Sequence, residues 1–190
     1  AENRSVPQVL VKCISEIERR NGLTLEGLYR VAGFHDHVED LKMAFDKDCD
    51  SVDISSNRYE DINILTSVVK SFLRQLPIPL ITYDVYPEIL QAVKEGDDNV
   101  PSSRERRMMA FRDSLHKLPQ AHYHTLKYIM GHLCRVAEHQ NVNMMTPENL
   151  AIVFAPTLLN SPDCDPMISL LNAQAERAIV EYLINNYYSL

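Results

Sequence analysis

The sequence predicts an all-α fold, a single globular domain over residues 1–190 with roughly eight to nine helices. Only 5 of the 190 residues are glycine, and residues that favour helices are plentiful. Apolar residues recur at spacings of three, four and seven in several segments, as on one face of a helix. There is no repeat of fixed period and no internal linker flexible enough to separate two domains, and we do not expect a regular up-down bundle.

Three helices are predicted in the first half of the chain. Ser5 can cap the first of them, and Asn21 with Gly22 ends it. A polar, aperiodic stretch over residues 48–56 is predicted to be a loop. The prolines at positions 77 and 79 end the third helix, because the residue before a proline is pushed out of the α region. The predicted helices cover residues 7–20, 35–47 and 59–75.

The second half predicts five further helical regions. Thr82 is expected to cap one, Ser102 with Glu105 to form a capping box for the next, and Thr146 to open a short one. Residues 95–101 are acidic and rich in turn formers, so we expect an exposed loop there. The last region is expected to break near Asn172. The predicted helices cover residues 84–94, 102–117, 122–138, 147 to about 155, and 166–187.

Composition and motifs exclude several function classes. The net charge of −7 argues against a general nucleic-acid or anionic-membrane surface, and no apolar run is long enough for a membrane span. The four cysteines are far apart, as expected for reduced thiols in a cytoplasmic protein. No nucleophile elbow, P-loop, CxxC or HExxH motif is present, so neither a nucleotide nor a metal is expected in this domain. The paired histidines at positions 35 and 37, and at 122 and 124, point to different helix faces.

A short segment between the first two helices carries one cation between small residues. We name residues 22–33 the arginine loop; it holds Arg30 between Gly27 and Gly33. The apolar side chains at positions 23, 25, 28 and 31 are expected to fix the loop to the core. A guanidinium on such a loop can bind phosphate oxygens with two parallel hydrogen bonds. Taken alone, the segment favours the plainer explanation, an ordinary surface arginine or an internal salt bridge.

Two further cations, Lys70 and Arg74, lie four residues apart on one helix face, at the border of its apolar stripe. No carboxylate lies between them, so they repel each other unless an anion or backbone carbonyls face them. A solvated basic edge is the alternative explanation. The following Leu-Pro-Ile-Pro-Leu segment is a stiff, apolar ledge.

Three blocks of the sequence stand out together. They are Gly-Leu-Tyr-Arg-Val-Ala-Gly at 27–33, Lys-Ser-Phe-Leu-Arg-Gln-Leu-Pro-Ile-Pro-Leu at 70–80, and Asn-Leu-Ala-Ile-Val-Phe-Ala-Pro-Thr-Leu at 149–158. These blocks resemble the signature blocks of the RhoGAP domain, the GTPase-activating domain for Rho, Rac and Cdc42. They occur in the order and at the spacings of that family, and the resemblance spans nearly the whole chain. Residues 33–45, 61–64 and 77–84 are most similar to the chimaerin type, the Rac-directed members.

The resemblance implies a role for four residues. Arg30 matches the arginine finger, and Lys70, Arg74 and Asn149 match the other invariant positions of the family. We expect Arg74 to support the loop by hydrogen bonding to its carbonyls, Lys70 to do the same or to reach the partner, and Asn149 to lie at the partner surface. Ala32 and Ala155 depart from the family's usual residues, which are Ser or Pro and Gly respectively.

The resemblance also implies the function. The domain would bind a Rho-family small GTPase (Rac, Cdc42 or Rho, Rac favoured) in its GTP form and accelerate GTP hydrolysis by inserting an arginine in trans. It would have no independent catalytic activity and no cofactor, because GTP and Mg²⁺ belong to the partner. We expect a cytoplasmic, monomeric domain of a larger protein, with no direct membrane insertion and with any membrane recruitment through other domains. A catalytically silent GTPase-binding module and a scaffold without a GTPase partner are the alternatives.

Overall fold

The computed structural model describes residues 6–94, 101–161 and 166–190, which form nine α-helices and no strand. The predicted all-α class is confirmed. Short 3-10 turns occur at Gly22–Thr24 and Tyr187–Ser189. The helices are α1 (Gln8–Arg19), α2 (His35–Lys47), α3 (Ile62–Arg74), α4 (Tyr86–Lys94), α5 (Pro101–His116), α6 (Gln120–Glu138), α7 (Gln140–Asn143), α8 (Pro147–Leu158) and α9 (Pro166–Asn185).

Helix α3 begins at Ile62, later than the predicted residue 59. The side chain of Asp61 accepts a hydrogen bond from the backbone N–H of Asn63 at 2.9 Å and so caps the helix. Tyr59 is instead a buried anchor of the preceding loop, with its hydroxyl donating to Asp40 at 2.8 Å. Its apolar ring fits the helical spacing, but the residue lies in the loop and makes tertiary contacts there.

The predicted capping box at Ser102 is wrong, because α5 already includes that residue and begins at Pro101. A proline suits the first position of a helix, where its missing N–H has no partner to lose. The proposed cap Ser5 and residues 95–100 of the predicted loop lie outside the described residues. The cap at Thr146 is confirmed, since its Oγ1 accepts from the N–H of Asn149 at 3.1 Å.

Helices α4 and α6 to α9 also differ from the sequence-based expectation. Helix α4 begins at Tyr86, and the carbonyl of Thr82 accepts from its N–H at 2.9 Å. Helix α8 continues through Pro156, and α9 passes Asn172 without a break. Helix α7, a single turn, was not predicted. Helix α6 begins at Gln120.

The core lies between α1, α3, α8 and α9. Helix α3 packs against α1, α2 and α8, and α8 packs against α9, while α4 packs against α5 and α9. Each fully buried aliphatic side chain contributes about 1.5–3 kcal/mol through burial of its apolar surface. This packing brings the arginine loop, the middle of α3 and the start of α8 together. The central side chains include Leu10, Ile14, Ile17, Leu65, Val69, Phe154 and Val180.

The cysteines of the described residues are all unpaired, with Cys13 and Cys134 buried and Cys49 partly exposed. Cys164 lies outside the described residues. Within those residues, no helix combines the length and the apolar character that a membrane span requires.

Candidate functional site

The arginine loop makes a tight turn immediately before Arg30. The N–H groups of Arg30 and Val31 both donate to the carbonyl of Gly27, at 2.8 and 3.0 Å. Gly27 has φ of 71° and Tyr29 has φ of 72°, both in the left-handed region. Glycine adopts this conformation at little cost, whereas a residue with a side chain pays on the order of 1–2 kcal/mol. Interactions elsewhere must therefore hold Tyr29 in place.

The side chain of Tyr29 anchors the turn in the core. Its ring is completely buried and lies edge-on to Phe154, with ring centroids 4.9 Å apart. Its hydroxyl is 2.7 Å from Nε2 of His132 on α6. Leu28 is also buried, but Val31 is 45% exposed, so the expectation that Val31 fixes the loop to the core is wrong. Tyr29 fills that role, because its ring is buried against Phe154 and its hydroxyl bonds to His132.

A buried chain of polar groups continues from Tyr29 to the surface. Nδ1 of His132 lies 2.6 Å from Oε1 of Glu18 on α1, and the same oxygen accepts two hydrogen bonds from the guanidinium of Arg135, at 2.7 and 3.1 Å. His132 is only 1% exposed. The chain thus links α1, α6 and the arginine loop through charged or hydrogen-bonded contacts.

The electrostatics of this chain favour a neutral imidazole. Burial lowers the pKa of His132, although the hydrogen bond to Glu18 opposes this shift. The hydrogen bond from His132, together with that from Arg135, lowers the pKa of Glu18 to about 2, so the carboxylate stays charged. Burial raises the pKa of Tyr29 well above its usual value, so the phenol keeps its proton.

Lys70 supports the turn from α3. Its Nζ donates to the carbonyl of Tyr29 at 2.5 Å, which fixes the peptide that leads into Arg30. Burial and the nearby charge of Arg74 lower the pKa of Lys70. The ammonium therefore occupies this position at an electrostatic cost, which the hydrogen bond to the loop offsets.

The structure places Arg74 differently from our expectation. Its side chain is exposed in the last turn of α3, and no described residue accepts a hydrogen bond from its guanidinium. The expectation that Arg74 bonds to the loop's carbonyls is therefore wrong for this structure. Lys70 lies one helical turn closer to the loop and makes that contact instead.

Asn143, at the end of α7, holds the other side of the loop. It is completely buried, and its Nδ2 donates to the carbonyls of Leu23 and Val136 at 2.8 and 2.7 Å. Its Oδ1 accepts from the N–H of Met145 at 2.7 Å, and its backbone carbonyl accepts from the N–H of Gly27 at 2.8 Å. Every polar group of this amide side chain is used in bonding.

Asn149 stands at the first turn of α8, next to this corner, and is partly exposed. Its Nδ2 donates to the carbonyl of Met144 at 3.1 Å, and Met144 has a left-handed φ of 59°. No described residue donates to the Oδ1 of Asn149. The Nδ2 of Asn149 thus fixes the turn at Met144, whereas its Oδ1 is without a donor in the described part of the protein.

Gly33 closes the loop against the start of α3. Its N–H donates to the hydroxyl of Ser67 at 3.0 Å. A Cβ at this position would lie 2.6 Å from the backbone nitrogen of Ile64 and 2.7 Å from the carbonyl oxygen of Asn63. The approach of two backbones, rather than a special φ, requires glycine here.

The side chain of Arg30 points out of this braced turn. It is exposed, and no described residue forms an ion pair or a side-chain hydrogen bond with it. The guanidinium of Arg30 lies close to Gly27. A Cβ added to Gly27 would be 3.6 Å from Nη2 and 3.7 Å from Nε of Arg30. Arg20, in contrast, bonds to Glu16 and to two backbone carbonyls. Arg30 is therefore a cation that the described part of the protein holds at the backbone and leaves unneutralised.

The structure brings together Arg30, Lys70 and the corner that carries Asn149. Sequence reasoning missed Tyr29, Asn143 and the residues behind them. Tyr29 lies inside the first of the three blocks. A bulky aromatic residue between Gly27 and Arg30 could have indicated that its side chain anchors the loop. Asn143 offered none, because a single asparagine before a helix is common.

Solved structures of the same architecture define the class of this domain. The crystal structure of human Rho GTPase activating protein 15 superposes with a TM-score of 0.86 at 30% identity, covering 98% of this chain and 84% of that one. The BH domain from the GTPase regulator associated with focal adhesion kinase gives a TM-score of 0.81 at 29% identity, covering 96% of this chain and 92% of that one.

Residues 7–163 match the sequence profile of the RhoGAP domain, and the chain belongs to the RhoGAP family. Rat N-chimaerin is 50% identical over 180 residues, which cover 95% of this chain and 52% of that protein. Rat beta-chimaerin is 46% identical over 186 residues, which cover 98% of this chain and 61% of that protein. The resemblance to the chimaerin type is confirmed. The chain spans about half the length of the N-chimaerin that it matches.

Proposed function

We propose that this domain accelerates GTP hydrolysis by Rho-family small GTPases by inserting Arg30 into the partner's active site. The observation that carries the proposal is the exposed guanidinium of Arg30, which no described residue neutralises, on a backbone fixed from three sides. Lys70 bonds to the carbonyl before Arg30, the ring of Tyr29 is buried below it, and Asn143 bonds to Gly27. Rac is the first candidate among these GTPases, because the resemblance is to the Rac-directed chimaerin type.

The chemistry explains why an arginine is needed. Negative charge is spread over the oxygens of the transferring phosphoryl group, and a small GTPase alone neutralises it incompletely. A planar guanidinium with five N–H donors can bind two such oxygens and stays charged at any working pH. In the Ras system an arginine finger increases the rate by roughly 10³–10⁵, which corresponds to about 4–7 kcal/mol. GTP and Mg²⁺ come with the partner.

The fixed backbone of the arginine loop reduces the entropy that is lost when Arg30 binds. Ordering a free arginine side chain costs up to about 2 kcal/mol, and each flexible backbone residue costs about 1–2 kcal/mol more. Because the turn before Arg30 is already fixed, binding needs to order only the side chain. A rigid backbone therefore leaves most of the finger's interaction energy for the transition state.

We assign the remaining site residues by what they are free to contact. Arg74 is exposed and without a bonding partner among the described residues, so it is proposed to face the GTPase directly. Asn149 is proposed to accept a hydrogen bond from the partner at Oδ1. Lys70 is proposed to act only by supporting the loop.

The test is single-turnover phosphate release from GTP-loaded Rac, Rho and Cdc42, with and without the purified domain. Arg30→Ala should reduce the stimulated rate by roughly 10³-fold while binding to the GTP-loaded partner stays largely intact. Arg19→Ala is the matched control, because Arg19 is an exposed arginine already paired with Glu16. It should leave the stimulated rate unchanged.

Two outcomes would overturn the proposal. If Arg30→Ala stimulates hydrolysis as well as the unmodified domain, Arg30 is not the finger. If the unmodified domain binds a GTPase but neither speeds hydrolysis nor stabilises its complex with GDP and aluminium fluoride, the domain is a silent binding module.

A further inference from the structure

We infer that Tyr29, His132 and Glu18 form a positioning chain that sets the direction of Arg30, a role that rests on the proposed function. The chain runs from the hydroxyl of Tyr29 to Nε2 of His132 at 2.7 Å, and from Nδ1 of His132 to Glu18 at 2.6 Å. The side chains of Tyr29 and His132 are buried, and Glu18 stands at the far end of the chain. They act on it through the backbone.

The hydroxyl of Tyr29 gives the ring a fixed direction rather than greater burial. A phenylalanine would bury the same ring against Phe154, whereas a phenol in a fully buried site needs a hydrogen-bond partner. His132 is that partner. Because Tyr29 has a left-handed backbone, its ring and its carbonyl must both be held, and Lys70 holds the carbonyl.

With the imidazole neutral, as burial favours, the hydrogen bonds of this chain run in only one direction. Glu18 is ionised and accepts, so Nδ1 of His132 must carry the proton. The neutral ring then presents Nε2 as an acceptor, and the hydroxyl of Tyr29 donates to it. Two N–H groups of Arg135 fix the carboxylate in turn. A chain with a single proton arrangement holds the ring of Tyr29 in one orientation.

The consequence for Arg30 is geometric. Without the hydroxyl bond, the ring of Tyr29 can pivot about its Cβ, and the peptide that follows it loses one of its two supports. The guanidinium would then be misaimed in the transition state, although the surface that binds the GTPase is unchanged. Such a loss lowers the maximal rate and leaves the half-saturating concentration of the domain constant.

The experiment measures the stimulated rate of hydrolysis by GTP-loaded Rac at increasing concentrations of the intact chain, for four variants. Tyr29→Phe removes only the hydroxyl and should lower the maximal rate roughly fivefold, the factor for one lost hydrogen bond, with half-saturation unchanged. Tyr86→Phe is the matched control, because Tyr86 is also buried and bonds to Glu176 at 2.6 Å, but it lies on α4. It should keep the full maximal rate, even if its melting temperature falls as far as that of Tyr29→Phe.

Two substitutions of His132 separate positioning from stability. In His132→Gln the amide can reach the place of Nε2 and still accept from Tyr29, so most of the maximal rate should return. In His132→Asn the shorter amide can reach only Glu18, so the rate should fall as in Tyr29→Phe. All rates are measured below the lowest melting temperature of the set.

The outcomes distinguish this inference from the proposed function. A full maximal rate in Tyr29→Phe, with Arg30→Ala inactive, refutes the positioning chain and leaves the finger standing. A fully active Arg30→Ala refutes the proposed function itself. Nitrogen-15 NMR of His132 tests the chain without any GTPase, because a proton on Nε2 or a charged ring contradicts the assigned direction.

Discussion

Replacing Lys70 by methionine separates support of the loop from stability of the fold. The substitution keeps most of the aliphatic stem and removes the ammonium that donates to the carbonyl of Tyr29 at 2.5 Å. A hydrogen bond from a charged donor contributes about 1.5–3 kcal/mol. Burial and the charge of Arg74 work against the ammonium, and both are relieved in the variant. Since Lys70 is only half-buried, solvent screens part of each effect, and the free energy of unfolding should change by only about 0–1 kcal/mol.

The stimulated rate should respond much more strongly than the stability. Without Lys70 the carbonyl before Arg30 has no support on that side, and a displacement of about 1 Å at a reacting group can cost roughly 10²-fold. We expect Lys70→Met to lower the maximal stimulated rate about 10- to 100-fold, measured as phosphate release alongside urea unfolding. Lys47→Met, an exposed lysine at the end of α2, is the control. A variant that unfolds normally and stimulates fully would refute the assigned support.

Arg74→Ala should also leave the stability of the fold intact, for a different reason. It removes a cation that lowers the pKa of Lys70, so that pKa should rise and the fold should not be weakened. The domain should nevertheless lose stimulation or affinity, because Arg74 is proposed to contact the GTPase. A clear loss of stability in Arg74→Ala, seen in urea unfolding, would instead indicate that it braces the fold.

Three further predictions concern the frame of the loop. Gly33→Ala should destabilise the domain by about 1–3 kcal/mol, because its Cβ would lie 2.6 Å from the backbone nitrogen of Ile64. An unchanged melting temperature would contradict the close approach of the loop backbone to α3. Asn143→Ala should cost about 2–4 kcal/mol in urea unfolding, because it leaves the carbonyl of Leu23 and the N–H of Met145 unpaired. The carbonyl of Val136 keeps the N–H of His139 as its donor. A loss below about 1 kcal/mol would mean that water replaces the amide. The pKa of Glu18 is depressed in the folded state, so the stability that its carboxylate contributes is present above pH 4.5 and lost as the pH falls towards about 2. Between these pH values, Glu18→Gln should lose about 1–2 kcal/mol less free energy of unfolding than the unmodified domain, after allowance for solvent screening. Equal losses of the two proteins in acid unfolding would contradict this prediction.

The helices were predictable from the sequence because their signals are local. The apolar stripe of α3 and the threonine cap of α8 depend on neighbours a few residues away. The errors occurred where tertiary contacts override a local pattern. Tyr59 continues the apolar spacing of α3, yet a hydrogen bond to Asp40 holds it in the loop, and a different cap starts the helix.

The site was predictable only in part, for a related reason. Arg30 stands out because a cation between glycines is unusual and belongs to a block that resembles a known family. The sequence could not show which of Lys70 and Arg74 bonds to the loop, because both lie on one helix face. They differ only in their distance from the loop, and Lys70 is the one that reaches the carbonyl of Tyr29. Asn143 was missed because its role depends on hydrogen bonds to groups that are distant in the sequence, such as the carbonyl of Leu23.

The arginine loop is short in sequence, yet its supports come from far along the chain. Lys70 bonds across 41 positions, His132 across 103, and Asn143 across 120. A peptide of residues 22–33 would lack every one of these contacts and would sample many turns. The loop is therefore not a transplantable module, and it acquires its shape only when α3, α6 and α7 have docked. Stimulating activity should accordingly appear with the last cooperative step of refolding and vanish with the first step of global unfolding.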